Sequence, residues 1–196
     1  MNSKGEDSVR FEGDLSPKQR SAILNFAEII LRGRGQFAQP TGSRLEMSEV
    51  AVYEREEDGK TQVRMVFEID MGEDMLNSGG NMHGGCSMYL IDVYVPSGPF
   101  WVRPKLLSRR AHCSCSSIAL VALGIATHRY ANFVSQAITT VFHAPATLGA
   151  RLRIVNNTVS FGARTVSART EIWDTTNRRL VATGIHNQMQ PSTPKL

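Results

Sequence analysis

The chain has 196 residues, 41% hydrophobic and 20% charged, with three cysteines and a formal net charge of +4. That size and balance fit one globular domain able to bury a sizeable core. They exclude a disordered chain, a disulfide scaffold and a helical membrane span. The charge is unevenly placed: residues 1–80 hold 10 Lys/Arg and 15 Asp/Glu (−5), residues 81–196 hold 12 and 3 (+9). Between Asp74 and Glu171 the sole carboxylate is Asp92. A basic field around one embedded acid suits a polyanionic ligand with chemistry at one point. Nucleic acid is disfavoured, because no basic run is interleaved with aromatics and no DNA-binding motif is present.

In chain order, residues 1–14 are polar and expected to be loose. Ser16-Pro17 reads as a cap and first-turn proline for a helix reaching about Leu31, with Ile23, Leu24, Ala27, Ile30 and Leu31 on one side. Gly33-Arg34-Gly35 stops it. A strand pair follows, Arg44–Arg55 and Thr61–Asp70, joined by a turn at Glu57-Asp58-Gly59-Lys60. Val63, Met65, Phe67 and Ile69 alternate with polar neighbours in the second strand. The Gly72–Gly80 loop leads to a helix over Gly84–Val95, which Pro96-Ser97-Gly98-Pro99 must break or end. Ser116–Thr127 is apolar and reads as a second helical piece. Four strands close the chain: Phe133–His143, Ala150–Ser160, Arg164–Asp174 and Leu180–Gln188, with turns at Gly162 and Asp174–Asn177. The order is that of an α+β domain. It implies an N-terminal extension with one helix (1–40), a main domain (41–190) interrupted near 96–115, and a tail (191–196).

The segment Asn77–Asp92, NSGGNMHGGCSMYLID, carries the chemistry. A glycine-rich turn delivers His83-Gly84-Gly85 to a helix start, where unpaired backbone N–H groups can polarise a carbonyl or hold an anion. Asp92 follows nine residues after the histidine. A carbonyl-holding end and an isolated carboxylate so spaced point to acyl chemistry. His112-Cys113-Ser114-Cys115 has no second ligand pair, so no metal is expected.

These residues resemble the hotdog-fold acyl-CoA thioesterases, in the branch of the phenylacetate-degradation thioesterases and the small mammalian acyl-CoA thioesterases. Asn77, His83-Gly84-Gly85 and Asp92 match that family's active-site loop over a resemblance spanning roughly residues 44–190. VSQAITTVFHAPATLG supplies a serine, Ser135, ahead of a proline turn at Pro145. Thr183-Gly184-Ile185-His186 echoes the end of the family's final strand. Asp92 and Ser135 are 43 positions apart, where the resemblance implies about twenty; the excess is Pro96–Cys115, expected to interrupt the central helix or cover the acyl tunnel.

The resemblance implies an antiparallel sheet wrapped around a central helix, and a homodimer or dimer of dimers with active sites at the protomer interface. The thioester carbonyl would meet the Gly84 N–H with help from around His83. Asp92 of the facing protomer would activate water as a base or attack as a nucleophile, with Asn77 and Ser135 orienting it. Gly85, the turn His143-Ala144-Pro145-Ala146-Thr147, and Gly162 and Arg164 of the Ser160–Thr165 hairpin would contact substrate. Coenzyme A would be part of the substrate, with no separate cofactor. A non-catalytic acyl-CoA sensor on the same fold is the alternative, and a hydratase a more distant one. The sparse, odd cysteines point to a reducing intracellular compartment. Pro194-Lys195-Leu196 resembles a peroxisomal tail, with cytoplasm or mitochondrion otherwise expected.

Overall fold

The computed structural model describes residues 8–32, 38–92, 115–129 and 133–190. Its strands are β1 (Arg10–Glu12), β2 (Glu46–Glu54), β3 (Thr61–Asp70), β4 (Val134–Phe142), β5 (Arg151–Phe161), β6 (Thr165–Asp174) and β7 (Arg179–Met189). Its helices are α1 (Pro17–Arg32), α2 (Gln39–Arg44), α3 (Gly84–Ile91) and α4 (Cys115–Ala126). The strands form one sheet in the order β1-β2-β3-β5-β6-β7-β4, antiparallel throughout except for β1 beside β2.

The alternation in β3 orients the sheet. Val63, Met65, Phe67 and Ile69 are fully buried and face the helices, and Leu152, Ile154, Val166, Ala168 and Ile172 continue that face. Each such aliphatic or aromatic side chain stabilises the fold by roughly 1.5–3 kcal/mol. The sheet curves around α4, which is apolar on every side and packs on β3, β5 and β6, while α3 packs on β7 and β4. Helix α3 ends at Ile91, short of the expected Val95, where Asp92 turns to extended backbone, and α4 is described from Cys115. Residues 93–114, which hold nearly all of the excess stretch, lie outside the described residues, as does the 191–196 tail.

Helix α1 is tied to this core at its first turn. Ser16 and Gln19 form a reciprocal capping box, with Ser16 N–H donating to Gln19 Oε1 at 2.9 Å and Gln19 N–H to Ser16 Oγ at 3.3 Å. The same Gln19 donates from Nε2 to the Ile125 carbonyl at the end of α4, at 3.1 Å. Three expectations need correcting here. Phe26, not Leu24, completes the buried stripe of α1, because a 3.6-residue period carries Leu24 to its margin. Arg10–Glu12 is not loose: it adds β1 to the sheet edge. Arg44 ends the short helix α2 rather than starting β2, since Pro40 favours a helical first turn.

The basic second half meets the acidic first half across the sheet. Arg151 of β5 pairs with Glu46, Glu68 and Asp70, and Glu49 is buried among Arg10, Arg64 and Arg153. Two of the second half's twelve basic residues, Arg151 and Arg153, thus answer carboxylates of the first half. Arg164, on the β5–β6 hairpin, is exposed and has no carboxylate partner among the described residues.

Gly184 in β7 has its inner face against α3. A Cβ there would sit 2.8 Å from Ile91 Cδ1 and Cγ2. Gly184→Ala is expected to overpack this contact and cost about 1–3 kcal/mol, read as a lower midpoint in urea unfolding. An unchanged midpoint would show that Ile91 can move away freely.

Candidate active site

The turn before α3 is built by backbone and Asx hydrogen bonds. Asn77 Oδ1 accepts from Gly79 N–H at 2.9 Å and from Asn81 N–H at 3.2 Å, so this side chain shapes the loop. Met82 N–H donates to the Ala146 carbonyl at 2.8 Å, and Asn81 bridges Thr147, which fixes the loop against the 143–147 turn. His83 is the N-cap of α3, with Nδ1 accepting from Gly85 N–H at 2.9 Å. Its ring therefore has a capping role, while Gly84 N–H, at the first helical position, has no acceptor among the described residues. The Phe142 ring lies over Gly84: a Cβ on this glycine would be 3.3 Å from Phe142 Cζ. Hydrophobic and aromatic patterning of β4 carries this residue, although no motif singles it out.

A cavity of about 350 Å³ opens beside this helix end, lined by Ala38, Pro40, Thr41, Leu76, Cys86 and Tyr89 among others. Burial pushes the Cys86 thiol up to about 11, so it stays protonated and is a poor nucleophile.

The other end of α3 holds a hydrogen-bonded array. Asp92 is the C-cap, its extended backbone (φ −78°, ψ 163°) ending the helix. Ser135 Oγ lies 3.1 Å from Asp92 Oδ1 and 3.0 Å from His186 Nε2. His186 is fully buried, and its Nδ1 lies 2.9 Å from Ser116 Oγ. Burial lowers the His186 pKa, and the nearby Asp92 charge opposes that shift. The Asp92 carboxylate itself is open to solvent, its side chain 41% exposed.

Ser135 reaches this array through an irregularity in β4. It faces Gln188, and two positions later Ala137 faces Asn187, so Gln136 is an extra residue, a β-bulge. The bulge turns Ser135 to the inner face shared by Gln188 and His186. Strict alternation from Ile138 would have placed it outward.

Asp92 and Ser135 therefore converge, as anticipated. They bring in His186, which the sequence marked only as the end of a strand motif, and Ser116, which it did not mark at all. Asn77 does not contact Asp92 within the protomer. In the 143–147 turn, His143 Nε2 is tied to Thr183 Oγ1 at 2.9 Å, and Pro145 and Thr147 are exposed. Ala146 is fully buried, so its methyl is core and presents nothing to a ligand. Gly162 closes the β5–β6 turn through its N–H to the Thr165 carbonyl, leaving Arg164 at the tip. No cluster of three or more His, Cys, Asp or Glu side chains suited to a metal occurs among the described residues.

Two separations organise the site. Helix α3 has eight residues, so the Gly84 and Asp92 ends are about 12 Å apart. The 143–147 turn meets β7 at Val181 and the 162–164 turn lies by Met189, roughly 25 Å along the strand. One protomer cannot bring either pair onto one small group.

No protein-family model matches the sequence, and no curated protein matches it. Solved structures do. The crystal structure of zebrafish thioesterase superfamily member 2 is similar with a TM-score of 0.59 at 18% identity, over 85% of this chain and 97% of that one. Thioesterase superfamily member 2 from Mus musculus is similar with a TM-score of 0.57 at 15% identity, over 89% and 98%. Sequences this distant share architecture rather than proven chemistry, and that architecture is shown: the chain has the hotdog fold, as these two structures do.

Proposed function

We propose that the protein hydrolyses acyl-CoA thioesters at sites shared between two copies of the chain. The observation that carries this reading is a solvent-open Asp92 bonded into Ser135 and His186, together with an acceptor-free Gly84 N–H at the opposite end of the same helix. The first can activate water and the second can hold a carbonyl, but they cannot serve one carbonyl from one chain. Strand β4 ends the sheet with its outer edge unpaired among the described residues. Pairing that edge antiparallel with a second copy would set the Phe142–Gly84 end of one protomer beside the Ser135–Asp92 end of the other. The same operation would bring the 143–147 turn towards the partner's 162–164 hairpin. One symmetry operation reunites both separated pairs.

In this arrangement the thioester carbonyl oxygen accepts from Gly84 N–H, reinforced by the N-terminal dipole of α3. Asp92 of the second copy takes a proton from water as the water oxygen bonds to the carbonyl carbon. The tetrahedral intermediate then breaks its C–S bond, and the departing thiolate recovers the proton from Asp92. The products are a carboxylic acid and coenzyme A, with no metal or redox step. The cavity beside Gly85, mostly apolar but also lined by Thr41, Asp74 and His83, would take the acyl group, and Arg164 a phosphate of coenzyme A.

The test is thiol release from a panel of CoA esters, acetyl to palmitoyl and phenylacetyl, by the wild-type chain. Hydrolysis of at least one class is expected. A folded dimer that binds CoA esters without releasing thiol would overturn the enzyme reading in favour of a sensor.

A further inference from the structure

The cavity beside the start of α3 has one charged wall. Asp74 is the one carboxylate among its lining residues. The turn Glu73–Met75 that carries it also braces the α3 cap, since the Met75 carbonyl accepts from His83 N–H at 2.8 Å. Both Asp74 oxygens are held from α2: Oδ2 by Thr41 Oγ1 at 2.7 Å and Oδ1 by Arg44 Nη2 at 2.8 Å. Arg44 is anchored a second time, its Nη1 donating to the Pro40 carbonyl at 3.3 Å. Gly72 leaves room for the pair, because a Cβ there would sit 2.6 Å from Asp74 Oδ1 and 2.7 Å from Arg44 Nη2. Burial opposes ionisation of Asp74, but the bonds from Arg44 and Thr41 outweigh it and hold the carboxyl below its ordinary value, so it is charged near neutral pH.

Asp74 lines the cavity and Arg44, bonded to it, does not, so the carboxylate screens the cation from whatever occupies the cavity. The pair is partly open, the Arg44 and Asp74 side chains being 40% and 32% exposed, and a ligand can meet it. A volume of about 350 Å³, more than twice the roughly 150 Å³ that takes a benzene, leaves room for a medium-length chain and its terminal group. An uncharged chain asks nothing of this wall, because Asp74 and Arg44 already answer each other. A chain ending in a carboxylate meets a like charge, finds the guanidinium taken, and loses hydration without replacement. We infer that the Arg44–Asp74 pair sets acyl specificity: the cavity admits uncharged acyl chains and refuses acid-terminated ones, because Asp74 occupies the guanidinium that a second carboxylate would need. The inference rests on this cavity receiving the acyl group, as proposed above.

The experiment compares matched pairs on the full-length protein: hexanoyl-, octanoyl- and decanoyl-CoA against adipyl-, suberyl- and sebacyl-CoA. Thiol release gives kcat/KM, and calorimetric titration of the corresponding thioether analogues, which cannot be hydrolysed, gives Kd. The wild type is expected to favour the uncharged member by about tenfold or more. Asp74→Ala vacates the carboxylate's place beside an anchored guanidinium. An acid-terminated chain can then fill it as a charge-assisted pair, and the ratio should fall about tenfold or more. Adding Arg44→Met to Asp74→Ala should abolish that gain. Should Asp74→Ala not fold, Asp74→Asn, which keeps the shape and loses the charge, should move the ratio in the same direction. Each ratio compares two ligands on one protein, so a general loss of activity from a disturbed α3 cap cancels. A wild type that does not discriminate would overturn the inference. So would a ratio unmoved in the folded variant, or a gain that survives the loss of Arg44. Selective binding of the analogues without hydrolysis of any ester would remove the hydrolase reading and leave this one standing; hydrolysis with an unmoved ratio would do the reverse. Binding of neither class of analogue would overturn the acyl site and this inference together.

Discussion

Asp92→Ala is expected to lower kcat for thioester hydrolysis by roughly 10²–10⁴-fold, the usual contribution of a positioned general base. Removing this side chain deletes the one carboxylate that faces both solvent and the Ser135–His186 pair. The fold should survive, because the carboxylate is 41% exposed and the helix already ends there. A stability change within about 0.5 kcal/mol is typical of such positions. Asp92→Asn sharpens the point: the amide keeps a hydrogen bond to Ser135 but cannot accept water's proton, so it should be nearly as inactive as alanine. The measurement is thiol release at saturating ester, alongside urea unfolding of the same preparations. Substantial hydrolysis by either folded variant would remove Asp92 from the mechanism.

Gly84→Pro tests the other end of the helix. Proline is well accommodated at the first helical position, and the extended backbone of His83 suits a residue preceding proline. The substitution therefore removes the Gly84 N–H without breaking α3, while its ring must push back the exposed Phe142 ring, 3.3 Å from a Cβ at this position. Losing one such donor is expected to lower kcat by about 10²–10³-fold. The larger effect comes from mixing. When Gly84→Pro and Asp92→Ala chains are co-refolded in equal amounts, half of the dimers are mixed. Each mixed dimer pairs one intact Gly84 with one intact Asp92. Activity should rise from near zero to about a quarter of wild type. A mixture no more active than its parents, with mixed dimers seen by native mass spectrometry, would place both residues in one protomer's site.

The site was only partly legible in the sequence. The H-G-G turn and Asp92 could be read because a helix start and a carboxylate nine residues later are local features. Ser135 could be placed by resemblance, but not its direction, since the Gln136 bulge that turns it inward depends on register with β7. His186 sits in β7, a long way from Asp92 along the chain, and Ser116 lies in α4, past the end of α3; neither has a local signal. For Asn77 the structure adds a loop-shaping role, its carbonyl oxygen accepting from Gly79 and Asn81, which the sequence marked only as a position in the active-site loop. Ala146 was misjudged because a turn residue with no polar handle can be tucked wholly beneath its neighbours.

By itself the sequence determined the strand alternation of β3, the capped α1, the apolar pieces of the central helix and the α+β order. These depend on periodicity and caps within one or two turns of chain. It also held the uneven charge, but not which arginines are paired within the fold. Only the tertiary structure decided that Arg151 and Arg153 of β5 spend their charge on Glu46, Glu49, Glu68 and Asp70, because cross-sheet pairing depends on strand order. It alone decided that Ser116, Ser135 and His186 converge on Asp92, and that Gly84 lies a helix length away. The physical reason is common to both: hydrogen bonds and ion pairs act over about 3 Å, and the residues that satisfy them come from segments whose proximity only the folded sheet and helix create.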